Sequence, residues 1–269
     1  MAKVFAAAYR GKLAKLTRLL EDEDDTLLDC PSVDYTDASG TTALHAACQE
    51  GHTDCVELLV RAGAMVDAMN AGGVTPLISA CENGHMSCVQ SLLAAKAKVD
   101  IADKDNETTA LHGACQAGAA DCVEALLEAK APIDATDKAG ATPLIIAAYG
   151  GHAECVARLL AAGADDTHEY DDSTALELAE QGGHDECARL LRGAADAAGG
   201  ASRPDSPPPD ANRATEAPGT LMHAHAIARN RMQSHAINAC AHSMHKPTAY
   251  RPARGPYALV PRHARCGGA

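Results

Sequence analysis

The sequence predicts an all-α solenoid of stacked helix–turn–helix units followed by a disordered C-terminal tail. Three observations predict it. A Thr-x-Leu element recurs five times, with Leu44, Leu77, Leu111, Leu144 and Leu176 separated by 33, 34, 33 and 32 residues; such a period means one supersecondary unit stacked on copies of itself. Large rings are scarce, with six Tyr, one Phe and no Trp, so the core must be built from Ala, Leu, Val and Cys, which favours close helix–helix contact. Composition changes abruptly after Gly193, beyond which nine of the thirteen prolines lie.

Each unit follows from local chemistry. Thr42, Thr75, Thr109, Thr142 and Thr174 are N-caps, whose hydroxyl satisfies an orphan N–H of the helix that follows. Pro76 and Pro143 stand at the first helical position, where a missing N–H costs nothing. A short Leu/Ala helix then runs to Gly51, Gly84, Gly118, Gly151 or Gly183, a residue able to take the left-handed conformation that ends a helix. A second helix, with apolar residues such as Cys55, Val56, Leu58 and Leu59, closes at Gly63 or Gly163. An extended Asp/Asn/Gly-rich turn leads to the next unit.

In this register the chain resembles the ankyrin-repeat family. "DASGTTALHAACQEGHTDCVELLVRAGA" and "DKAGATPLIIAAYGGHAECVARLLAAGA" match most of the family pattern, and five units in phase cover about residues 4–192. The resemblance implies β-hairpin-like turns between helix pairs and a protein-binding role without catalysis. "VFAAAYRGKLAKLTRLL" fits as a degenerate first unit, with Ala7, Ala8, Gly11, Leu16 and Leu19–Leu20 in phase, since a terminal repeat is expected to be atypical. Its five basic and no acidic residues up to Leu20 also suit a transit peptide; the repeat reading is preferred.

Departures from the pattern carry information. Lys96 and Lys130 replace the glycine after the second helix, which predicts strained or differently closed turns. Glu107 and Asp172 replace the turn glycine at the two junctions with 34- and 32-residue spacing. Glu180 stands where other units have Cys48, Cys81, Cys115 or Ala148, as a C-terminal cap requires. "EDEDDTLLDCPSVDYT" lengthens the first junction as an acidic surface loop.

The His-x-x-Cys element, at His52/Cys55, His85/Cys88, His152/Cys155 and His184/Cys187, pairs two favoured zinc ligands. Copies of one position in a stacked solenoid lie about a helix spacing of 8–10 Å apart, too far to share a metal or form a disulfide. The expectation is therefore buried free thiols acting as small hydrophobes, with no cofactor and no metal. A metal-binding or thiol-dependent protein is the alternative function. The family resemblance implies that these histidines bond neighbouring units, and that His45 and His112 bond the capping threonine and the next turn.

Charge divides the chain. Residues 1–192 carry 14 Lys/Arg against 32 Asp/Glu, and residues 193–269 carry 9 against 4. An acidic body does not suit nucleic acid, and no stretch approaches the ~20 apolar residues of a membrane span. No secretory signal is recognised, and free thiols point to a reducing cytoplasm or nucleus. The domains read as 1–192, the repeats, and 193–269, the tail. "SRPDSPPPD" predicts disorder there, Ser206 is a phosphosite candidate, and Cys240, His242 and His245 form a sparse metal-type group. A basic linear motif, a spacer that folds back on the acidic body, and a gene-model error remain unranked.

A stack of paired helices exposes a long concave surface made of turn tips and first helices. The turn tips offer Ser39, Thr41, Val74, Asp105, Asn106, Lys138, Tyr170 and Asp171, and the first helices Gln49, Glu50, Glu82, Asn83, Gln116 and Tyr149. Tyr149 and Tyr170 lead this set, because tyrosine is enriched at binding hot spots; the competing reading is that they shield the last repeat. The chain is expected to be a monomer that binds another protein as adaptor, scaffold or regulator.

Overall fold

The computed structural model describes residues 2–21 and 33–198. Residues 22–32 of the acidic insertion and residues 199–269 of the tail, with Ser206, Cys240, His242 and His245, lie outside the described residues. Six helix pairs follow one another: α1 (Ala2–Tyr9) and α2 (Leu13–Glu21), α3 (Ala43–Gln49) and α4 (Thr53–Arg61), α5 (Pro76–Glu82) and α6 (Met86–Ala94), α7 (Ala110–Gln116) and α8 (Ala120–Glu128), α9 (Pro143–Tyr149) and α10 (Ala153–Ala161), α11 (Ala175–Gln181) and α12 (Asp185–Ala198). The odd-numbered helices pack on one another as an inner row and the even-numbered as an outer row, so each unit packs chiefly on its neighbours, the pattern of a solenoid.

Local chemistry explains the boundaries. Thr42, Thr75, Thr142 and Thr174 sit in extended backbone and accept a bond from the N–H three residues on, so these four of the five expected N-caps are present. Gly51, Gly84, Gly118, Gly151 and Gly183 all have φ between 67° and 73°. The first unit is a repeat: Val4, Ala7, Ala8 and Leu16 are buried in the core shared with the later units. The last helix, α12, continues past Gly193 to Ala198.

The core consists of ladders with one rung per unit. Leu44, Leu77, Leu111 and Leu144 form one on the inner row, and Leu59, Leu92, Leu126 and Leu159 one on the outer row, each at most 1% exposed. Cys55, Val56 and Leu59 share one face of α4, and Cys88, Val89 and Leu92 repeat that face on α6, at the helical spacing that makes a stripe.

Turn length sets the uneven repeat spacing. The bridged pair Thr36 and Thr42 stands six residues apart, Ala102 and Thr109 seven, and Glu169 and Thr174 five. The longer turn absorbs its extra residue with Glu107 at φ 57° and wraps around buried Asp103. That carboxylate accepts from the N–H groups of Asp105, Asn106 and Thr108 and from the Thr108 hydroxyl. The shorter turn is a hairpin, β1 (Glu169–Tyr170) against β2 (Ser173–Thr174). Its two central residues, Asp171 and Asp172, have φ 51° and 58°, the left-handed pair that a two-residue hairpin requires and that Asp tolerates.

Two kinds of glycine terminate helices. A Cβ on Gly63 or Gly163 would meet nothing within 4 Å, so glycine serves only the backbone angle there. Lys96 and Lys130 hold the same place with φ 63° and 67°, as the expected strain requires. By contrast, a Cβ on Gly51 would lie 2.7 Å from the His85 ring, and one on Gly118 or Gly151 2.5 Å from His152 or His184. Gly84 faces Ala119 instead, 3.5 Å away, because unit four lacks the histidine.

Two stability predictions follow from this division. Lys96→Gly and Lys130→Gly should each raise unfolding free energy by about 0.5–1 kcal/mol in denaturant titration. Gly84→Ala should cost about 1 kcal/mol and Gly51→Ala at least about 1 kcal/mol more, since only the latter overlaps a ring; equal losses would refute the steric assignment.

Candidate functional site

The turn tips and the C-terminal ends of the inner helices form one continuous face. Backbone bonds join successive tips: Ala71 N–H to the Ser39 carbonyl at 2.9 Å, Lys104 N–H to Gly72 at 2.8 Å and Lys138 N–H to Asn106 at 2.8 Å. At the last junction the His168 imidazole reaches the Gly140 carbonyl at 2.9 Å. Asp37 closes its own turn by accepting from the N–H groups of Ser39 and Thr41; Asn70 and Asp137 do the same for Val74, and for Ala139 and Ala141. These side-chain–backbone bonds are the Asx mechanism that favours Asp and Asn in turns.

None of the residues expected at a binding surface is buried. Ser39, Glu50, Glu82, Asp105, Asn106, Lys138, Tyr149 and Asp171 are exposed, and Thr41, Gln49, Val74, Asn83, Gln116 and Tyr170 are half-buried. Several are already engaged. The Ser39 hydroxyl lies between Asp37 and Thr41, the Asn83 amide donates to the Ser79 carbonyl and Lys138 Nζ donates to the Asp105 carbonyl. Tyr9 gives its hydroxyl proton to Glu50, which, after burial, helps raise the Tyr9 phenol above its ordinary range. Tyr149, at the end of α9, is 48% exposed. Tyr170 sits in β1 of the next unit, where burial first, then Asp137, Asp171 and Tyr149, raise its phenol.

The histidines are inter-repeat fasteners. His45 Nδ1 accepts from the Thr42 N–H at 3.2 Å, so Nε2 bears the proton and donates to the Val74 carbonyl at 2.9 Å. His112 repeats this with Thr109 and Ala141, at 3.1 and 3.2 Å. At the start of the outer helices, His52, His85 and His184 donate from Nε2 to the carbonyls of Tyr9, Gln49 and Tyr149 at 3.2, 3.0 and 3.0 Å. The family-based expectation is met for these five histidines.

Cys48, Cys55, Cys81, Cys88, Cys115, Cys122, Cys155 and Cys187 are free and buried. Burial raises all eight thiols, Cys122 and Cys155 to about 11, so they are protonated at neutral pH and carry no thiolate for chemistry. Among the described residues no three His, Cys, Asp or Glu side chains are grouped as a metal would need.

An ankyrin-repeat family model, describing three copies of the repeat, matches residues 4–105, 62–137, 88–169 and 111–198. The chain belongs to the ankyrin-repeat family. Its helix pairs superpose on the crystal structure of the human ASB11 ankyrin repeat domain with a TM-score of 0.62 at 30% identity, covering 71% of this chain and 82% of that one. Curated relatives include cortactin-binding protein 2 from Rhinolophus ferrumequinum and from Equus caballus, each 44% identical over 62 residues. That stretch is 23% of this chain and spans only 3% of the length of those relatives. Ankyrin repeats are protein–protein interaction modules, and the fold is typically non-enzymatic. Among the described residues no helix is long and apolar enough to cross a membrane.

Pattern reading of the ankyrin units missed two features of the surface. Asp34, Asp67 and Asp134 accept the N–H groups of Met65, Lys98 and Asp165, each 31 residues on. Pro132, at the corresponding place after Asp100, has no N–H to give. Arg158 of α10 reaches Asp121 and Glu124 of α8. Periodicity marks these positions as exposed but does not pair them.

Burial dominates the titration of His45 and His112 and pushes both below the ordinary value of 6.5. The folded state therefore takes up their protons less readily than the unfolded chain. Their contribution is complete above about pH 6.5 and is lost as pH falls from there toward the lower folded values. Units three and five carry Ile78 and Ile145 at this position. The double variant His45→Ile/His112→Ile should therefore lose less stability than wild type between pH 7.5 and 5.5 in denaturant midpoints; parallel losses would refute the assignment.

Proposed function

We propose that the chain is an adaptor, scaffold or regulator that binds another protein across the face of turn tips and inner-helix ends, without catalysis. The observation that carries this reading is the pairing of exposed Tyr149 with Tyr170 on adjacent units of a face whose turns are locked to one another by backbone bonds. Rigid aromatic side chains lose little entropy on binding and are frequent hot spots. Ser39, Thr41, Gln49, Glu50, Val74, Glu82, Asn83, Asp105, Asn106, Gln116, Lys138 and Asp171 form the surrounding contact surface. The acidic charge of this body favours a neutral or basic protein surface over nucleic acid. The chain acts as a monomer in the cytoplasm or nucleus, with residues 193–269 as a separate tail. The name of the curated relatives states binding to cortactin, consistent in kind with this class.

The test begins with affinity purification and mass spectrometry, comparing the full chain with residues 1–198. For the partner so identified, Tyr149→Ala/Tyr170→Ala should weaken affinity at least tenfold by calorimetry, roughly 1.4 kcal/mol or more, with helicity and melting temperature unchanged. Unaltered affinity would reassign the two tyrosines to shielding the last repeat.

A further inference from the structure

At its C-terminal end the turn-tip face departs from the pattern of the other units. Asp37, Asn70, Asp103 and Asp137 each open a turn by donating their N–H to the carbonyl just before the capping threonine. Each also spends its side chain on N–H groups of its own turn. Tyr170 takes this place in the sixth unit, where it pairs with Ser173 and the β1–β2 hairpin closes the turn through backbone alone. A ring thus stands where the other turns hold Asp or Asn. On the neighbouring inner helix, Tyr149 replaces the Gln49, Glu82, Gln116 and Gln181 of the other units. Half-buried Ile146 lies three residues earlier on α9, on the same helix face as Tyr149.

The charge around these rings has one sign. After burial, Asp137, Asp171 and Tyr149 raise the Tyr170 phenol, so all three lie near its hydroxyl. Asp137 spends Oδ1 on the N–H groups of Ala139 and Ala141 at 2.9 and 2.8 Å. Asp171 and Asp172 stand exposed at the hairpin tip, and no ion pair among the described residues uses any of these three carboxylates. The cation of the fifth turn, Lys138, donates to the Asp105 carbonyl of the preceding unit at 3.1 Å. Apart from Arg158, held by α8 and its own helix on the outer row, residues 139–188 contain no Lys or Arg.

We propose that this end of the face receives an arginine side chain of the protein partner; the proposal deepens the binding reading above and rests on it. The guanidinium lies over a tyrosine ring with Asp137 and Asp171 at its edge, and the aliphatic stem covers Ile146. A guanidinium is planar and weakly hydrated, so it stacks on an aromatic face and meets carboxylates with the same fork. Its stem is apolar and shields half-buried hydrophobic surface. The earlier units present amides and carboxylates without a ring at these two places, so the site belongs to units five and six alone.

The probe is a Gly/Ser peptide with one central arginine, titrated into the isotopically labelled full chain beside a counterpart with citrulline, which keeps the shape and loses the charge. The arginine peptide should bind at least tenfold tighter, with shifts concentrated at Tyr149, Tyr170 and Asp171. Tyr149→Leu keeps apolar bulk, removes the ring and should weaken binding at least fivefold. Asp171→Asn, which the left-handed turn tolerates, should weaken it at least threefold. Asp105→Asn removes the same charge two units away and should have under a twofold effect. Equal binding of the two peptides, equal effects of Asp171→Asn and Asp105→Asn, or shifts centred away from Tyr149 would overturn the proposal. A captured partner that loses affinity with Tyr149→Ala/Tyr170→Ala but not with Asp171→Asn would also overturn it, and would leave the binding face standing. If the arginine peptide seats on Tyr149 while the double tyrosine variant keeps its partner affinity, the arginine site stands and the assignment of the face to that partner falls. Melting curves of each variant separate loss of binding from loss of fold.

Discussion

Helix pairs in this molecule complete their hydrogen bonding through their neighbours. The carbonyls of Tyr9, Gln49 and Tyr149 end their inner helices and receive the imidazole of the following unit. His45 and His112 accept the backbone N–H of their own N-cap at Nδ1 and donate from Nε2 to the next turn. Asp34, Asp67 and Asp134 accept a backbone N–H from the following unit. Because an unpaired buried polar group costs about 1–3 kcal/mol, the bonds of buried His45 and His112 help fix the spacing and rotation of successive units. Every surface on the molecule inherits its geometry from that constraint.

The same constraint explains how the stack ends. Glu180 occupies a position that is buried cysteine or alanine in four other units. With no further unit packed on it among the described residues, it is exposed and pairs with Arg192 of α12 at 2.6 Å. A Cβ on Gly183 would meet nothing within 4 Å, whereas Gly151 lies under His184. The last unit keeps the fold of the others while its outer contacts are exchanged for solvent and ion pairs, as a cap must.

The recurrent thiols acquire a physical role from the stack rather than from chemistry. Burial keeps them protonated, and they fill space beside Ala and Val that larger side chains would overpack. On the exterior the turn tips are tied to one another by backbone bonds, the carboxylates outnumber the cations, and the outer helices differ in register, as with Ala125 on α8 against Arg158 on α10.

The sequence by itself determined the repeat, the N-cap threonines, the helix-ending glycines, the degenerate first unit and the exposed cap glutamate. Those are consequences of local propensity and of a period near 33 residues, which one chain displays openly. It also located the strained positions Lys96 and Lys130, though not whether anything stood beside them. Only the tertiary structure decided that Gly51 must be small while Gly84 need not be, that Pro132 interrupts the aspartate ladder, and that Arg158 reaches the carboxylates of α8. Such pairings join side chains about one repeat apart in sequence. Their outcome depends on the reach and size of both partners, which the pattern within either unit does not encode.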